Sequence, residues 1–577
     1  MSQTDPVVIE DQVPSLPRRQ FLSGLGLSAG TVLLAPSLGL VSPSAVADQP
    51  ILAPPSGERR KAARHIREQA TQQQYITPNP GHPSNDDERL YADYRANYSK
   101  GLPHDALGMV NAEVYRQYLE AIHTGHQQAM EAVPLGGVLK LANPLAAHGF
   151  NLIGADPQIA RIAAAPGYAS RMTALDMVER YWMALCRDIP FYQYASHPLI
   201  AEAASDLNQL GWQKTFGFKA TPDSLFRARY AGTVDGPYVS QFLHLPVPMG
   251  PTTLTQRTRT VLPGQDQLTD LSRWAVVNSG VVNPTGTDTY DPNPYHLRNL
   301  RDGANWVHAD LPHQCTSYAA QLLWSWGPDF WSDANPYKSS ITKASPFTTC
   351  GLPDILSLIT LASNYALRFA WYQKWCVHRR VRPEVFAQRV HRSQTEGIDL
   401  GIAPVLFESA VLDQIYQHNR EQNIKQGLSN EGTYLLPMVY PEGCPPHPAY
   451  PAGHATTVAA GVTICKAFFN EAAIIPKPMV PDEAGTELDT YPSDLSVGGE
   501  LNKLIANVSL FRDAAGMHWR TDGVFNPSAG YDTRFGGNVL GEAVALAILR
   551  DVRLAYPETF TTPFRITRLD GTVAEIG

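Results

Sequence analysis

After its first 47 residues, the 577-residue sequence lacks any apolar run long enough to cross a membrane. The longest later run, residues 355–370, is interrupted by polar side chains and by an arginine. A membrane-spanning helix needs about 20 predominantly apolar residues. We therefore expect no stable membrane association of the mature chain.

Excess positive charge is also missing, since 46 Lys and Arg stand against 54 Asp and Glu, for a formal net charge of -8. Nucleic acid is therefore not an expected partner, because phosphate binding needs a basic field. Any anion site must be a local cluster.

Cysteine is scarce, and the spacing of the six cysteines resembles no metal knuckle. Disulfides and free buried thiols are equally compatible with it.

The first 47 residues have the features of an export signal. Residues 17–22 (PRRQFL) form a twin-arginine core, residues 25–40 are apolar and small, and Ala45-Val46-Ala47 offers a cleavage site. An uncleaved anchor helix is the alternative, but the apolar run is short and is interrupted by Gly, Ser, Thr and Pro. We predict twin-arginine export to the periplasm or the extracellular space, with cleavage.

Apolar residues recur at helical spacing through much of the remaining chain, and alternating strand patterns are few. Residues 48–105 are rich in Pro, Gln, Asn and charge, which indicates a wrapping arm. Residues 106–577 are expected to form one mainly α, helical-bundle domain with long loops and little β structure, the longest connections being 215–310 and 425–453. The predicted helices cover 114–122, 174–187, 317–326, 353–379, 455–472 and 541–553.

The first of three chemically distinctive segments is 371–383, which contains Lys374 and Arg382. Eight helical residues advance about 800°, so both side chains would lie within roughly 80° in azimuth and about 12 Å along the axis. Both could then reach one oxyanion. Pro383 disfavours a helical Arg382 and should end the helix there. A solvated basic face is the alternative.

The second segment, 447–457, places His447, Gly453 and His454 just before a predicted helix. Glycine lets the backbone approach a ligand closely, and a helix start offers free N–H groups and a partial positive charge. His454 could exchange a proton near neutral pH. A turn that carries two surface histidines is the alternative.

The third segment, 511–523, contains Arg512 and His518. Six helical residues turn about 600° and would point these side chains apart, so we expect a helix break near Gly516. A helix hairpin with a surface histidine is the alternative. Together the three segments supply two arginines, a lysine, a glycine at a helix start and two histidines, which suits a tetrahedral oxyanion.

The order Lys-x7-Arg-Pro, Pro-x-Gly-His and Arg-x5-His resembles the vanadium-dependent haloperoxidases and their relatives in the type-2 phosphatidic acid phosphatase superfamily. The Lys–Arg spacing and the position of His447, seven residues before His454, resemble the algal and cyanobacterial bromoperoxidase branch. The similarity extends over most of residues 80–530.

This resemblance implies vanadate as the cofactor, with vanadium bonded to His518. It implies that His454 is the acid/base, that Lys374 also polarises the peroxide, and that His447 tunes bromide oxidation. Trp371 is expected either to line the site or to pack in the core. The remaining implied oxyanion contacts are Lys374, Arg382, Arg512 and the Gly453 amide.

Two residues depart from the family pattern. Ala452 replaces the usual serine of Pro-Ser-Gly-His, and Phe511 replaces the serine that commonly precedes the arginine of the last motif. The missing hydroxyl at 452 removes one hydrogen bond to the anion, worth about 1–3 kcal/mol. Weaker retention of the oxyanion is the expected result.

The expected activity is oxidation of bromide, and of iodide or chloride as further halides, by hydrogen peroxide. Its products are hypohalous acid and halogenated forms of a small organic substrate. Because relatives assemble, a homo-oligomer is expected. The alternatives are an acid phosphatase that forms a phosphohistidine at His518, and a non-catalytic exported scaffold protein.

Overall fold

A computed structural model describes residues 56–284, 288–527 and 535–577 of the chain. The export signal and its cleavage site lie outside the described residues. The chain divides into two compact units, Met1–Arg67 and Glu68–Gly577. The boundaries expected from the sequence, after residues 47 and 105, stay predictions.

Helices dominate the larger unit, which confirms the mainly α fold predicted from the sequence. Short 3₁₀ turns connect several of them, at Pro144–His148, Pro157–Ile159, Phe191–Gln193, Gln241–Leu243, Pro328–Phe330 and Pro404–Glu408. The helices are α1 Ser56–Ile76, α2 Asp87–Leu90, α3 Ala112–Thr124, α4 Gln127–Glu131, α5 Arg171–Cys186, α6 Pro198–Gln209, α7 Trp212–Phe216, α8 Leu271–Asn278, α9 Leu300–Ala309, α10 Gln314–Ser325, α11 Pro336–Ser339, α12 Leu352–Tyr372, α13 Pro383–Glu396, α14 Val411–Lys425, α15 Gly453–Phe468, α16 Val497–Ala514, α17 Arg520–Gly523 and α18 Gly536–Arg553.

The predicted helices are found at α3, α5, α10, α12, α15 and α18. Two of them end earlier than their apolar patterns. Helix α15 stops at Phe468 because Phe469 is extended and forms a bridge with Trp331. Helix α12 gives way at Gln373 to a π-helical stretch, Gln373–His378.

Helix α15 lies at the centre of the larger unit and packs against α12, α16 and α18. Nearly all of its residues are buried, as expected for a helix that is small and apolar on every side. Close packing against α18 depends on Gly541, where an added Cβ would lie 2.2 Å from the carbonyl oxygen of Thr456. The start of α15 is therefore held inside the protein.

Strands are few, as predicted, and within the described residues they form four two-stranded antiparallel sheets. The first two sheets lie in the long 215–310 connection, which also contains α8 and α9. The pairs are β1 Val247–Met249 with β2 Thr252–Leu254, β3 Thr258–Val261 with β4 Tyr290–Tyr295, β5 Met479–Pro481 with β6 Leu488–Thr490, and β7 Phe564–Thr567 with β8 Val573–Ile576.

The connection before α15 is an ordered, buried loop. Leu435, Met438 and Tyr440 are almost fully buried there.

All six cysteines fall in the described ranges and are free, and all but Cys376 are buried. Within the same ranges, no helix has the length and apolar character of a transmembrane span.

Candidate active site

Lys374 and Arg382 meet across a chain reversal, so the single helix predicted for them is wrong. The π-helical stretch ends at His378, and Arg379 adopts a left-handed conformation with φ 39°. Arg382 is extended because Pro383, the first residue of α13, forbids it a helical conformation. The reversal places both side chains in one buried pocket, where the Lys374 ammonium donates to the carbonyls of Pro448 and Ala449 at 2.6 and 2.8 Å.

The three distinctive segments meet at the guanidinium of Arg382. Its NH2 group donates to Nδ1 and to the carbonyl oxygen of His447, both at 2.9 Å. Its NH1 group donates to the Met517 carbonyl at 2.7 Å and lies 3.1 Å from Nε2 of His518. The buried guanidinium of Arg382 therefore fixes the position of segment 447–457 relative to segment 511–523.

His518 occupies the break between α16 and α17. Helix α16 ends at Ala514, and the chain turns at Gly516, whose φ is +87°, so the predicted break is confirmed. The Nδ1 atom of His518 lies 2.9 Å from an Asp522 carboxylate oxygen, to which it can donate. Its Nε2 atom faces the pocket and then accepts from the Arg382 guanidinium at 3.1 Å. Burial, and secondly the charge of Arg382, hold the pKa of His518 well below its usual value.

Arg512 reaches the pocket from the last turn of α16. Its NH1 group donates to the Val307 carbonyl at 3.0 Å and lies 3.4 Å from the Tyr440 hydroxyl. The Tyr440 ring stacks on His308 with centroids 3.7 Å apart. The Nε of Arg512 is buried and has no hydrogen-bond acceptor among the described residues. A buried guanidinium N–H without an acceptor can donate to a bound anion.

His447 and Trp371 form one wall of the pocket. Their ring centroids lie 4.8 Å apart, and the Trp371 indole donates to the Ala142 carbonyl at 2.9 Å. Burial and the neighbouring charge of Lys374 hold the pKa of His447 well below its usual value. A Cβ added to Gly453 would stand 3.5 Å from the Trp371 ring. Trp371 therefore both packs and lines the site.

Gly453 and His454 begin α15, whose N-cap residue, Ala452, makes no side-chain capping bond. The Nε2 of His454 lies 2.9 Å from an Asp310 carboxylate oxygen. The His454 side chain is 29% exposed, whereas that of Asp310 is 5% exposed. The helix start gives the pocket N–H groups and positive potential, and His454 gives it a histidine that solvent can reach.

Comparison with known proteins identifies the same family as the motifs. A vanadium-dependent bromoperoxidase of Ascophyllum nodosum is 31% identical over 491 residues, which cover 82% of this chain and 85% of that protein. One from Corallina pilulifera is 30% identical over 562 residues, covering 83% and 91%. The chain belongs to the vanadium-dependent bromoperoxidase family. No protein-family model matches it.

A solved structure extends the match to the fold of the family. The homohexameric second vanadate-dependent bromoperoxidase of Ascophyllum nodosum aligns with a TM-score of 0.82 and 28% identity, covering 93% of this chain and 96% of that one. These bromoperoxidase relatives do not favour the acid phosphatase or the scaffold protein considered from the sequence.

Sequence reasoning assigned no role to the carboxylates that orient the two histidines. Asp522 is fully buried and is held by the Arg380 guanidinium at 2.8 Å and by the Trp519 amide at 3.1 Å. The sequence did carry one signal for this contact, because Asp522 stands four residues after His518. Asp310 stands 144 residues from His454, and no local pattern connects them.

The two departures from the family pattern have different surroundings. The Phe511 ring packs against Gly303 of α9, where an added Cβ would be 2.3 Å from the ring. Phe511 therefore serves helix packing. Ala452 is buried at the start of α15, so the loss of a hydroxyl there falls beside the Gly453 amide.

The pocket is built for an oxyanion more than for a bare metal cation. No group of three or more His, Cys, Asp or Glu side chains in the described part of the chain could hold a metal ion. Burial and the charge of Arg382 lower the pKa of Lys374 well below its usual value. A bound anion would offset that penalty, because opposite charge favours the ammonium form.

Proposed function

We propose that the chain oxidises bromide with hydrogen peroxide, using vanadate as its cofactor. One observation carries the proposal: in a bromoperoxidase-family chain, His518 is buried with Nδ1 on Asp522 and Nε2 towards a buried cage of Lys374, Arg382 and Arg512. Hypohalous acid leaves the site and halogenates a small, electron-rich organic substrate.

The residues present fit vanadate. His518 would bind the vanadium through Nε2, because Nδ1 is engaged by Asp522. The Arg512 Nε, which lacks an acceptor among the described residues, would donate to an oxo group. The Gly453 amide at the start of α15 would donate to another oxo group. Lys374 and Arg382 would neutralise the remaining oxo charge.

When bound, vanadate acts as a Lewis acid that activates hydrogen peroxide towards halide. His454 accepts a proton from the incoming peroxide, and Asp310 orients its ring and stabilises the resulting charge. Lys374 would place its ammonium beside the bound peroxide and withdraw negative charge from it. His447, with Nδ1 accepting from Arg382 and its ring against Trp371, tunes the preference for bromide over chloride.

Assembly and location belong to the same proposal. The chain forms a homo-oligomer, supported by the hexameric relative. It is exported by the twin-arginine route, loses residues 1–47, and acts in the periplasm or outside the cell without nucleic acid or stable membrane association. Fusion of residues 1–47 to a reporter that requires twin-arginine export tests the location, and failure of Arg18→Lys with Arg19→Lys to abolish export would contradict it.

The activity is tested by reconstitution. Chelator-treated protein should brominate a phenol dye with bromide and peroxide only after vanadate is added, and His518→Ala should remove that response. Release of phosphate from p-nitrophenyl phosphate without vanadate, together with no bromination, would support the phosphatase alternative. Absence of both activities from the vanadate-treated wild type, with no effect of His518→Ala on the protein, would support a scaffold.

A further inference from the structure

Five exposed aliphatic side chains lie together on α8 and on the two loops beside it. Val138 is 68% exposed and Val281 is 50% exposed, and a contiguous apolar patch is more informative than single exposed residues. We call this surface the aliphatic patch, and it consists of Leu135, Val138, Val276, Val281 and Val282.

Backbone contacts make the aliphatic patch continuous. The Leu139 amide donates to the Gly280 carbonyl at 3.2 Å, and the Val281 amide donates to the Val276 carbonyl at 3.0 Å. A Cβ added to Gly137 would lie 2.4 Å from the Gly280 carbonyl oxygen and 2.5 Å from the Val281 Cα. The two loops are therefore pressed together without intervening side chains.

The patch is also rigidly supported. The Gly136 amide donates to the Gly101 carbonyl at 2.9 Å, and the Gly101 amide donates to the Asn278 carbonyl at 2.8 Å. The first loop then continues to Ala142, which bonds Trp371 and the Pro446 carbonyl beside the active site. A surface fixed in this way loses little conformational entropy when it is covered.

We infer that the aliphatic patch is an interface between copies of this chain, an inference that rests on the homo-oligomer of the proposed function. The relative that aligns with 93% of this chain is a homohexamer, so a second copy is the occupant with direct support. Clustered aliphatic side chains without charge are typical of homo-oligomer interface centres. An interface at this place explains why the side chains of the aliphatic patch are exposed in the single chain.

The test compares charge inserted into the patch with charge inserted elsewhere. Val138→Asp combined with Val281→Asp should lower the mass of the vanadate-reconstituted protein at least twofold in light scattering, because each copy would bury unpaired carboxylates. Leu152→Asp is the matched control, since Leu152 is 92% exposed and outside the patch. It should keep the wild-type mass.

Three outcomes would overturn the inference: an unchanged mass of the double variant, equal dissociation of the control, or a monomeric wild type. Hydrogen exchange on the wild type covers the case in which the double variant fails to fold. Peptides 133–141 and 275–284 should be protected at high but not at low protein concentration, and equal exchange at both overturns the inference. Vanadate binding by the wild type tests the proposed function separately.

Discussion

The two histidine–carboxylate pairs have the same separation and opposite surroundings. In both, a ring nitrogen lies 2.9 Å from a carboxylate oxygen. The His518–Asp522 pair is buried, with Nδ1 of His518 facing the aspartate and Nε2 facing the pocket. In the other pair, the His454 ring is reached by solvent, and its Nε2 faces Asp310.

This difference matches the two tasks that the proposed function gives to the two histidines. Burial, and then the neighbouring Arg382, Lys374 and Arg512, hold the pKa of His518 well below its usual value, which favours the neutral form that binds a metal centre. His454 stands where solvent and an aspartate can share its proton, which suits an acid/base. In the proposed function, binding of the oxyanion and transfer of protons belong to separate histidines.

The largest effect is expected at the buried pair. His518→Ala should remove the vanadium ligand and lower vanadate affinity by more than the roughly 10–100-fold that loss of an outer-shell partner costs. Calorimetric titration of vanadate measures this directly. His244→Ala, which removes a buried histidine that makes none of the pocket's contacts, is the control. If His518→Ala bound vanadate as tightly as the wild type, the distinction between the two pairs would be wrong.

The exposed pair should affect turnover more than binding. His454→Ala should lower kcat/KM for peroxide by roughly 10²–10⁴-fold, the usual contribution of an acid/base. Vanadate affinity should change far less, because the cage of Lys374, Arg382 and Arg512 remains. Steady-state kinetics at saturating vanadate measure the first quantity. Equal losses in affinity and turnover would mean that the two histidines are not functionally distinct.

The carboxylates should divide in the same way. Asp522→Asn should weaken vanadate binding by roughly 10–100-fold, because the His518 tautomer is no longer fixed. Asp310→Asn should lower kcat and leave vanadate affinity near the wild-type value. Vanadate titrations and bromination rates for both variants measure the two effects. Weaker vanadate binding by Asp310→Asn, with unchanged binding by Asp522→Asn, would contradict the distinction between the pairs.

The smallest effect is expected from restoring the family serine. Ala452→Ser should tighten vanadate binding about fivefold, for a gain of about 1 kcal/mol from one hydrogen bond to the anion. The hydroxyl can instead cap α15, in which case thermal unfolding shifts upward and affinity does not. Ala455→Ser, at a buried position in the first turn of the helix, controls for added polarity, and an equal gain in affinity there would refute the explanation.

Much of this site was predictable because its residues carry local constraints. Pro383 dictates an extended Arg382, and Gly516 permits the turn that separates Arg512 from His518. Where the prediction was wrong, the reason is also local. The π-helical end of α12 at His378 replaced the continuous helix, and apolar periodicity carries no signal for that change.

The sequence by itself determined the mainly α class, the helices that frame the pocket, and the residue types of an oxyanion site, since these follow from periodicity, turn residues and motif spacing. Only the tertiary structure decided which carboxylate orients which histidine and how deeply each pair is buried. Those properties depend on chain segments up to 144 residues apart, and burial, which sets each histidine's task, exists only after packing.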